Sequence, residues 1–336
     1  MDMFQMIKSF PNQIKDQYEN LKSLDLDNTR YENVNKIVIA GMGGSAISGD
    51  FVRLLLKNDI EVPIYVVRDY SLPKWCDKNT LFILSSYSGN TEETLSIYDQ
   101  AKSISNMLIS VSTGGCLVEK SKADGVCTVG LPKGFQPRAA LGFSLITLIV
   151  IFNKLYLIED KFVDVILNSA DNLFSFFKEF CDADGYAYNI AHKIGNSFLL
   201  IYGTESGTDV VAFRFRAQLA ENAKFICSHH SVPELTHNEI EGWNRVQFNN
   251  IKKNIIWLED KDDHAQITNR VKITSDLLEE LDVQNIFIKT DGNSHADRLL
   301  KLVYLTDWIS YYLAKINGID PIPVERIESL KKRLLS

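Results

Sequence analysis

Residues 36–46 are Lys-Ile-Val-Ile-Ala-Gly-Met-Gly-Gly-Ser-Ala, and residues 80–94 are Thr-Leu-Phe-Ile-Leu-Ser-Ser-Tyr-Ser-Gly-Asn-Thr-Glu-Glu-Thr. Each stretch is an apolar run, rich in β-branched residues, that ends in small hydroxyl and glycine residues before a helical pattern begins. An apolar run that is bounded by turn residues in this way is typical of a buried parallel strand. The two stretches therefore predict an α/β fold with loops of Ser, Thr and Gly after buried strands.

The composition of these two loops indicates an anion-binding site. Small residues leave room for a ligand to approach the backbone N–H groups at the start of the next helix, where negative charge is favoured. Neither loop contains Lys or Arg. The loops therefore suit a phosphomonoester that is held by many neutral donors. A similar loop at residues 202–208 contains Glu205, which would repel phosphate, so we expect one phosphate site, in the first half of the chain.

The first loop also matches the spacing of a dinucleotide-binding motif. Residues 41–46 fit G-x-G-x-x-A and follow a predicted strand, as that motif requires. The acidic residue expected about 20 residues later is poorly placed, because Arg68 comes first after the second strand. The second loop has no role in nicotinamide binding. The sequence favours a sugar phosphate and leaves a dehydrogenase as an alternative.

The alternation of strand and helix patterns predicts an α/β protein with two doubly wound parallel sheets and a C-terminal helix. We place one domain at residues 1–156 and a second at 157–336. Strands are expected at residues 36–41, 62–67, 80–86, 107–112, 126–130, 197–202, 224–227, 254–258 and 284–289. Helical segments are expected within residues 1–35. Further helices are expected at residues 46–57, 91–103, 117–122, 139–156, 159–180, 208–221, 264–280, 295–316, and from the turn at 320–325 to Ser336.

Charge, cysteine content and hydropathy favour a soluble cytoplasmic enzyme. The 336 residues include 36 basic and 43 acidic ones, without a basic block, so no nucleic-acid partner is expected. The five cysteines form no C-x-x-C pair and are expected to be reduced; Cys227 is either reactive or packed. No signal peptide is apparent, and the longest apolar run, residues 139–152, is shorter than the roughly 20 residues of a membrane helix.

Three stretches carry side chains that could stabilise charge or move protons. Residues 134–142 contain Arg138, residues 213–224 contain Glu221, and residues 233–243 contain His237. Each has a structural alternative. Glu221 could pair with Lys224 on a helix surface, His237 could be a helix-cap partner or a core histidine, and Arg138 could cover the end of a strand. The histidines and acids near residue 230 lack a metal-ligand spacing, so no metal is expected.

These motifs resemble those of a known family. Residues 86–94 are similar to the S-x-S-G-x-T-x-E/D-T phosphate loop of sugar isomerase (SIS) domains, and residues 43–45 to the first-strand loop of those domains. With the sequences Q-P-R-A-A-L-G, L-A-E-N-A-K and H-N-E-I-x-G-W, they resemble the bifunctional phosphoglucose/phosphomannose isomerases of the phosphoglucose isomerase superfamily. The resemblance extends from about residue 30 to residue 336.

The resemblance implies two SIS domains and an aldose–ketose isomerase. Such an enzyme interconverts glucose 6-phosphate and mannose 6-phosphate with fructose 6-phosphate through a cis-enediol, without a cofactor or metal. A non-catalytic phosphosugar-binding SIS module or regulator is the alternative. The resemblance implies substrate contacts from Gly44, Ser45, Ser86, Ser88, Thr91 and Arg138.

The resemblance also implies the catalytic roles. Arg138 would be the cation near C1 and C2, Glu221 the isomerisation base, and His237 the group that opens the ring. Lys331 would assist ring opening, with Lys332 as the alternative. Some members carry a threonine seven residues before this lysine, where the present chain has Val324, which bears on the mannose reaction. We also expect a homodimer in which the His237 segment reaches the partner's site.

Overall fold

The computed structural model describes residues 1–243 and 251–334 of the chain. The first sheet consists of β1 (Lys36–Ala40), β2 (Ile64–Val67), β3 (Thr80–Ser86), β4 (Leu108–Ser112) and β5 (Cys127–Gly130). All strands are parallel, in the order β2-β1-β3-β4-β5, and β3 and β4 are buried along their whole length. All five predicted strands are confirmed, each to within two residues.

This strand order explains where the first two loops meet. β1 is hydrogen-bonded to β2 on one side and to β3 on the other, with Ala40 opposite Leu84. The winding direction of the sheet therefore reverses between β1 and β3. In open parallel sheets, ligands bind outside the carboxyl ends of the strands at such a reversal. The loops after β1 and β3 lie at this point.

Helices of the first half follow the predicted pattern. They are α1 (Met3–Lys8), α2 (Phe10–Leu21), α3 (Gly43–Leu55), α4 (Glu92–Ile104), α5 (Gly115–Ala123) and α6 (Leu141–Lys154). The first twelve residues of α6 are buried, and the hydroxyls of Ser144 and Thr147 donate to carbonyls of their own helix. Within the described residues, the structure contains no helix with the length and apolar character that crossing a membrane requires.

The second sheet repeats the winding of the first with one strand fewer. Its strands are β6 (Phe198–Thr204), β7 (Ser228–Val232), β8 (Lys253–Glu259) and β9 (Val283–Lys289), parallel and in the order β7-β6-β8-β9. The remaining helices are α7 (Asp160–Phe176), α8 (Tyr186–Ile194), α9 (Asp209–Asn222), α10 (Glu239–Gly242), α11 (Ala265–Glu279), α12 (His295–Ile316) and α13 (Glu325–Leu334). The predicted fold class, α/β with two doubly wound parallel sheets and a C-terminal helix, is confirmed.

One predicted strand and one missed helix need correction. The strand expected at residues 224–227 is wrong, because Lys224 takes a left-handed φ of 53° after α9 and the strand β7 starts only at residue 228. Ile226 is 95% exposed, so the apolar residues that suggested a strand there are not all buried. The helix α8 was not expected. The predicted end of the last helix, Ser336, lies outside the described residues.

The chain divides into two compact units, one of residues 8–171 and the other of residues 2–7 and 172–336. The sequence-based domain boundary lies 15 residues earlier, at 156/157, where the long apolar helix ends. The observed division falls inside α7. The assignment of SIS domains to residues 1–156 and 157–336 stays a prediction.

Candidate active site

The loop after β1 is packed tightly against the segment that carries Arg138. Gly44 leaves so little space that a Cβ atom there would lie 2.6 Å from the carbonyl oxygen of Pro137 and 3.3 Å from the nitrogen of Arg138. Ser45 is buried, and its Oγ accepts a hydrogen bond of 3.0 Å from the backbone nitrogen of Tyr87. The first loop therefore contacts both the Arg138 segment and the loop after β3.

The loop at residues 86–91 is closed by its own hydroxyl groups. The hydroxyls of Ser86 and Thr91 share a hydrogen bond of 2.8 Å, and the nitrogen of Gly89 donates to Ser86 Oγ at 3.1 Å. The nitrogen of Asn90 donates to Ser88 Oγ at 3.2 Å. Ser86 is buried, Thr91 is half-buried and Ser88 is exposed. The structure thus gives Ser86 a part in the shape of the loop, and makes Ser88 the more accessible hydroxyl.

The backbone of this loop contacts the turn between β4 and α5 so closely that only glycine fits at residue 89. Gly89 has a φ of 71°, and a Cβ atom there would lie 1.7 Å from the carbonyl oxygen of Gly114. The nitrogen of Leu117 donates to the Gly89 carbonyl at 2.9 Å, and the nitrogen of Cys116 donates to Asn90 Oδ1 at 3.0 Å. The loop at residues 86–91 is therefore held in place by hydrogen bonds to the turn between β4 and α5.

Arg138 lies in a short 3-10 turn, Pro137–Ala139, directly before α6. Its side chain is 6% exposed, and its Nη1 donates to Gln136 Oε1 at 3.3 Å. Gln13 of α2 holds this turn in place: its Nε2 donates to the Ala139 carbonyl at 2.7 Å, and its Oε1 accepts from the Gly142 nitrogen at 3.2 Å. We did not identify Gln13 from the sequence, although a glutamine on the apolar face of a helix is a usable signal.

The structure thus brings the six proposed substrate contacts of the first unit to one edge of its sheet. They are Gly44, Ser45, Ser86, Ser88, Thr91 and Arg138. Their common position follows from the parallel strands, whose carboxyl ends share an edge. Whether each residue contacts a substrate stays a prediction.

Glu221 lies in the last turn of α9 in the second unit, and its side chain is half-buried. A buried ion pair fixes this helix against α12, since Arg214 Nη2 donates to Asp307 Oδ2 at 3.0 Å and both side chains are at most 5% exposed. Asn222 Nδ2 also donates to Ser310 Oγ at 2.9 Å. The backbone that carries Glu221 is therefore rigidly held.

The alternative interpretation of Glu221 is a surface pair with Lys224. In the structure, Lys224 contacts the backbone of Glu221. Lys224 Nζ donates to the backbone carbonyl of Glu221 at 2.7 Å and to the carbonyl of Asp320 at 3.1 Å. A lysine that binds the last carbonyls of a helix stabilises its C-terminus. The lysine thus secures the end of α9.

His237 is the exposed last residue of a 3-10 helix, Glu234–His237, which follows β7. The segment predicted as a connector, residues 231–236, in fact begins with the last two residues of β7. Downstream, the Tyr202 hydroxyl donates to Glu239 and accepts from Trp243 Nε1 at 3.3 Å. Burial, followed by the charge of Glu239, raises the pKa of Tyr202, which keeps its hydroxyl protonated. These contacts anchor the His237 segment in its own unit.

Lys331 and Lys332 are both exposed on α13, a helix with no buried residue. The turn before it contains Val324, which is half-buried. The choice of Lys331 as the active-site lysine therefore stays a prediction.

At the corresponding edge of the sheet in the second unit, the carboxylate of Asp263 accepts hydrogen bonds from neighbouring groups. Asp263 lies after β8, where the phosphate loop lies after β3 in the first unit. Its Oδ1 accepts from Thr204 Oγ1 at 2.8 Å, and its Oδ2 accepts from the nitrogen of Asp260 at 2.8 Å. Two donors at this edge, the Thr204 hydroxyl and the Asp260 nitrogen, are thus bound to Asp263. This arrangement supports a single phosphate site, in the first unit.

Two other sequence-based alternatives lose support. Burial raises the pKa of the Cys227 thiol to about 12, so it is protonated near neutral pH and suits packing rather than nucleophilic chemistry. Within residues 1–243 and 251–334, no three His, Cys, Asp or Glu side chains are grouped so that they could hold a metal ion. The expectation of a reaction without metal stays a prediction.

Comparisons with known proteins agree with the motifs. The model of the bacterial phospho-glucose isomerase C-terminal SIS domain matches residues 183–334. The chain is 38% identical to a bifunctional phosphoglucose/phosphomannose isomerase of Caldicellulosiruptor bescii, over 99% of this chain and 98% of the relative. Identity to the protein of the same name from Aquifex aeolicus is 35%, with the same coverage of both chains. The chain belongs to the bifunctional phosphoglucose/phosphomannose isomerase family.

Other relatives show how far this fold extends beyond the isomerase family. A D-glucosamine-6-phosphate 4-epimerase of Sulfolobus acidocaldarius is 30% identical over 70% of this chain and 72% of its own. Among solved structures, the C-terminal domain of a glucosamine-fructose-6-phosphate aminotransferase from Francisella tularensis has a TM-score of 0.76 at 15% identity, covering 95% of this chain and 97% of its own. A putative phosphosugar isomerase from Clostridium difficile has a TM-score of 0.73 at 16% identity, covering 96% of each chain. The solved structures confirm the fold alone.

We predict that Gly44→Ala destabilises the first unit by about 1–3 kcal/mol, because its methyl group would collide with the backbone at Pro137. Urea denaturation of the variant and the parent protein measures this change. Gly130→Ala is the matched control, since no atom lies within 4 Å of a Cβ at that position. Equal stability of the two variants would contradict the close packing of the two segments.

Proposed function

We propose that the chain is an aldose–ketose isomerase that interconverts glucose 6-phosphate and mannose 6-phosphate with fructose 6-phosphate. The observation that carries this proposal is a sequence identity of 35–38%, over nearly the full length, to proteins named for these two reactions. The hydroxyl-rich loop at residues 86–91 and the loop after β1 supply the expected neutral site for a sugar phosphate.

In the proposed reaction, the first unit binds the phosphate. Ser88 is exposed and Thr91 half-buried at the start of α4, where the helix dipole favours an anion. Ser45 hydrogen-bonds the nitrogen of Tyr87 and so fixes the two loops relative to each other. Contacts of this kind hold the substrate in both the ground state and the transition state.

The proposed chemistry is a proton transfer between C1 and C2 of the open-chain sugar. His237 donates a proton to the ring oxygen while the hydroxyl on C1 loses one, so that the ring opens to the aldehyde, assisted by Lys331. Glu221 then takes the proton from C2, and Arg138 stabilises the enediolate oxygen on C1. A proton passes from the oxygen on C2 to the oxygen on C1, and Glu221 returns its proton to C1, which gives the ketose. These steps balance without an added oxidant, and we propose that neither cofactor nor metal takes part.

A non-catalytic SIS module and a 4-epimerase are the two alternatives to this proposal. A non-catalytic SIS module would need the phosphate loop but not Glu221, His237 and Lys331 together. The 4-epimerase relative matches 70% of this chain, whereas the isomerases of Caldicellulosiruptor bescii and Aquifex aeolicus match 99%, which favours isomerisation. An assay for fructose 6-phosphate formation, coupled to a detecting enzyme and with neither metal nor nicotinamide in the isomerase step, decides the matter. Binding without turnover would contradict an enzymatic role.

We predict that Glu221→Gln lowers kcat by a factor on the order of 10²–10⁴, because the amide keeps the shape of the side chain but cannot accept the C2 proton. Calorimetry should show nearly unchanged affinity for fructose 6-phosphate. Glu280→Gln, which changes an exposed carboxylate at the end of α11, is the control. Ser88→Ala should instead raise KM with little change in kcat. Full activity of Glu221→Gln would show that the base lies elsewhere.

We predict activity on both C2 epimers, with the glucose reaction at least as fast. Both epimers give the same cis-enediol, so one base serves both if the C1–C2 bond rotates within the site. Val324, a stiff β-branched residue, acts against this rotation. The measurement is kcat/KM for each epimer on one preparation, with Glu221→Gln as the control for contaminating host enzyme. Mannose turnover slower by more than about a thousandfold, or roughly 4 kcal/mol, would make the enzyme monofunctional.

We also propose a cytoplasmic homodimer in which each chain completes the other's site through the His237 segment. The five free cysteines support a reducing compartment. His237 is exposed, and the contacts of Glu239 and Trp243 hold its segment in place, so it is available to a second chain. Sedimentation should give a dimer whose activity falls when dilution dissociates it. A monomer with full activity would contradict the proposal.

A further inference from the structure

The phosphate loop of the first unit is poorly balanced in charge for a dianion. Residues 86–91 carry no charged side chain, and Glu92 and Glu93 follow in the first turn of α4. Neutral hydroxyl and backbone donors can bind phosphate, but the two carboxylates oppose it. A cation close to this loop would offset them, because oppositely charged groups within a few ångströms attract even near the surface.

One lysine that the motifs do not include lies beside this loop. Gly114, whose carbonyl oxygen is in direct contact with Gly89 of the loop at residues 86–91, is also next to the side chain of Lys133. A Cβ atom built on Gly114 would lie 3.7 Å from Nζ of Lys133 and 3.8 Å from its Cε. Gly89 and the ammonium group of Lys133 thus both lie against Gly114.

The backbone that carries Lys133 is tied to the phosphate loop on both sides. The hydroxyl of Tyr87, itself a loop residue, donates to the carbonyl of Pro132 at 2.7 Å and accepts from the nitrogen of Phe135 at 3.1 Å. Burial raises the pKa of Tyr87, so the phenol keeps its proton. The Leu131 nitrogen also donates to the Ser112 carbonyl at 2.9 Å. The hydrogen bonds of Tyr87 therefore hold the backbone around Lys133 close to the loop at residues 86–91.

The head group of Lys133 is available to a ligand. The side chain is exposed, and it has no hydrogen bond or ion pair to any residue in the part of the chain that the structure describes. Several other lysines of this unit bind carboxylates, for example Lys36 to Asp77 and Lys120 to Asp99. A lysine stem is flexible and its ammonium is a point charge with three donors, which suits a phosphate that arrives from solvent.

We propose that Lys133 binds the phosphate group of the substrate, as the cation that completes a loop of otherwise neutral donors. This inference rests on the proposed function only for the identity of the sugar phosphate. It concerns binding, because a phosphate contact is the same in the ground state and the transition state. Lys133 lies outside the motifs that suggested the phosphate site, which is why sequence analysis did not include it.

The test measures binding of inorganic phosphate and of fructose 6-phosphate to the full chain by calorimetry. Lys133→Gln should raise both dissociation constants about fivefold at low ionic strength, and the difference should shrink as added salt screens the charge. Lys133→Arg should stay within about twofold of the parent protein, because it keeps the charge. In the isomerase assay, Lys133→Gln should raise KM and leave kcat within about twofold.

Lys122→Gln is the matched control, because Lys122 is an exposed lysine of α5 in the same unit and its removal changes the net charge equally. The same dissociation constants for Lys133→Gln and Lys122→Gln would overturn the proposal. The phosphate measurement does not require turnover. If the parent chain binds phosphate but isomerises nothing, the proposed function fails while the role of Lys133 is still tested.

Discussion

The architecture of the candidate site depends on two close backbone contacts, each of which requires a glycine, a residue without a Cβ atom. Gly44 contacts the carbonyl of Pro137, and Gly89 contacts the carbonyl of Gly114, at distances that a Cβ atom would not allow. These contacts bring the segments after β1, β3 and β4 and the turn before α6 against one another. The hydroxyl and N–H donors of the loop at residues 86–91 are therefore positioned in advance, so less ordering remains for a ligand to impose.

The two units share one winding but differ at the sheet edge that carries the predicted phosphate loop in the first unit. Each sheet reverses direction between its first and third strands, and each has a hydroxyl-bearing loop there. In the first unit the loop hydroxyls bind one another and Ser88 remains exposed. In the second unit Asp263 accepts hydrogen bonds from Thr204 and from the nitrogen of Asp260. Burial raises the pKa of Asp263, as expected for a carboxylate that has lost its hydration. At this edge of the second sheet, the Thr204 hydroxyl and the Asp260 nitrogen thus already donate to Asp263.

Sequence patterns predicted most of the fold, because buried parallel strands are unbroken apolar runs bounded by turn residues. They failed at β7, an edge strand with His229 and His230 at its centre, where burial is partial and the apolar signal is weak. At the site, glycine and hydroxyl spacing identified the phosphate loop. Gln13 was missed, although a glutamine on the apolar face of a helix was a usable signal, because its partners Ala139 and Gly142 lie 126 and 129 residues away along the chain. The contacts of Tyr87 with Pro132 and Phe135, and the position of Lys133 beside Gly114, also join segments distant in sequence. Local patterns do not show which distant segments meet.

The position of Glu221 depends on an interaction that is costly in isolation. Arg214, Gln218 and Asn222 are spaced four residues apart and form one polar face of α9, which binds Asp307 and Ser310 of α12. Burying the Arg214–Asp307 pair removes two charges from water, and apolar residues of similar volume would often be as stable. Apolar packing, however, tolerates small rotations of a helix, whereas a two-point ion pair with further hydrogen bonds does not. Glu221 precedes Asn222 and so lies off this face, half-exposed on a helix whose rotation is fixed. The buried network thus fixes the orientation of the α9 backbone from which the side chain of Glu221, the proposed base, extends.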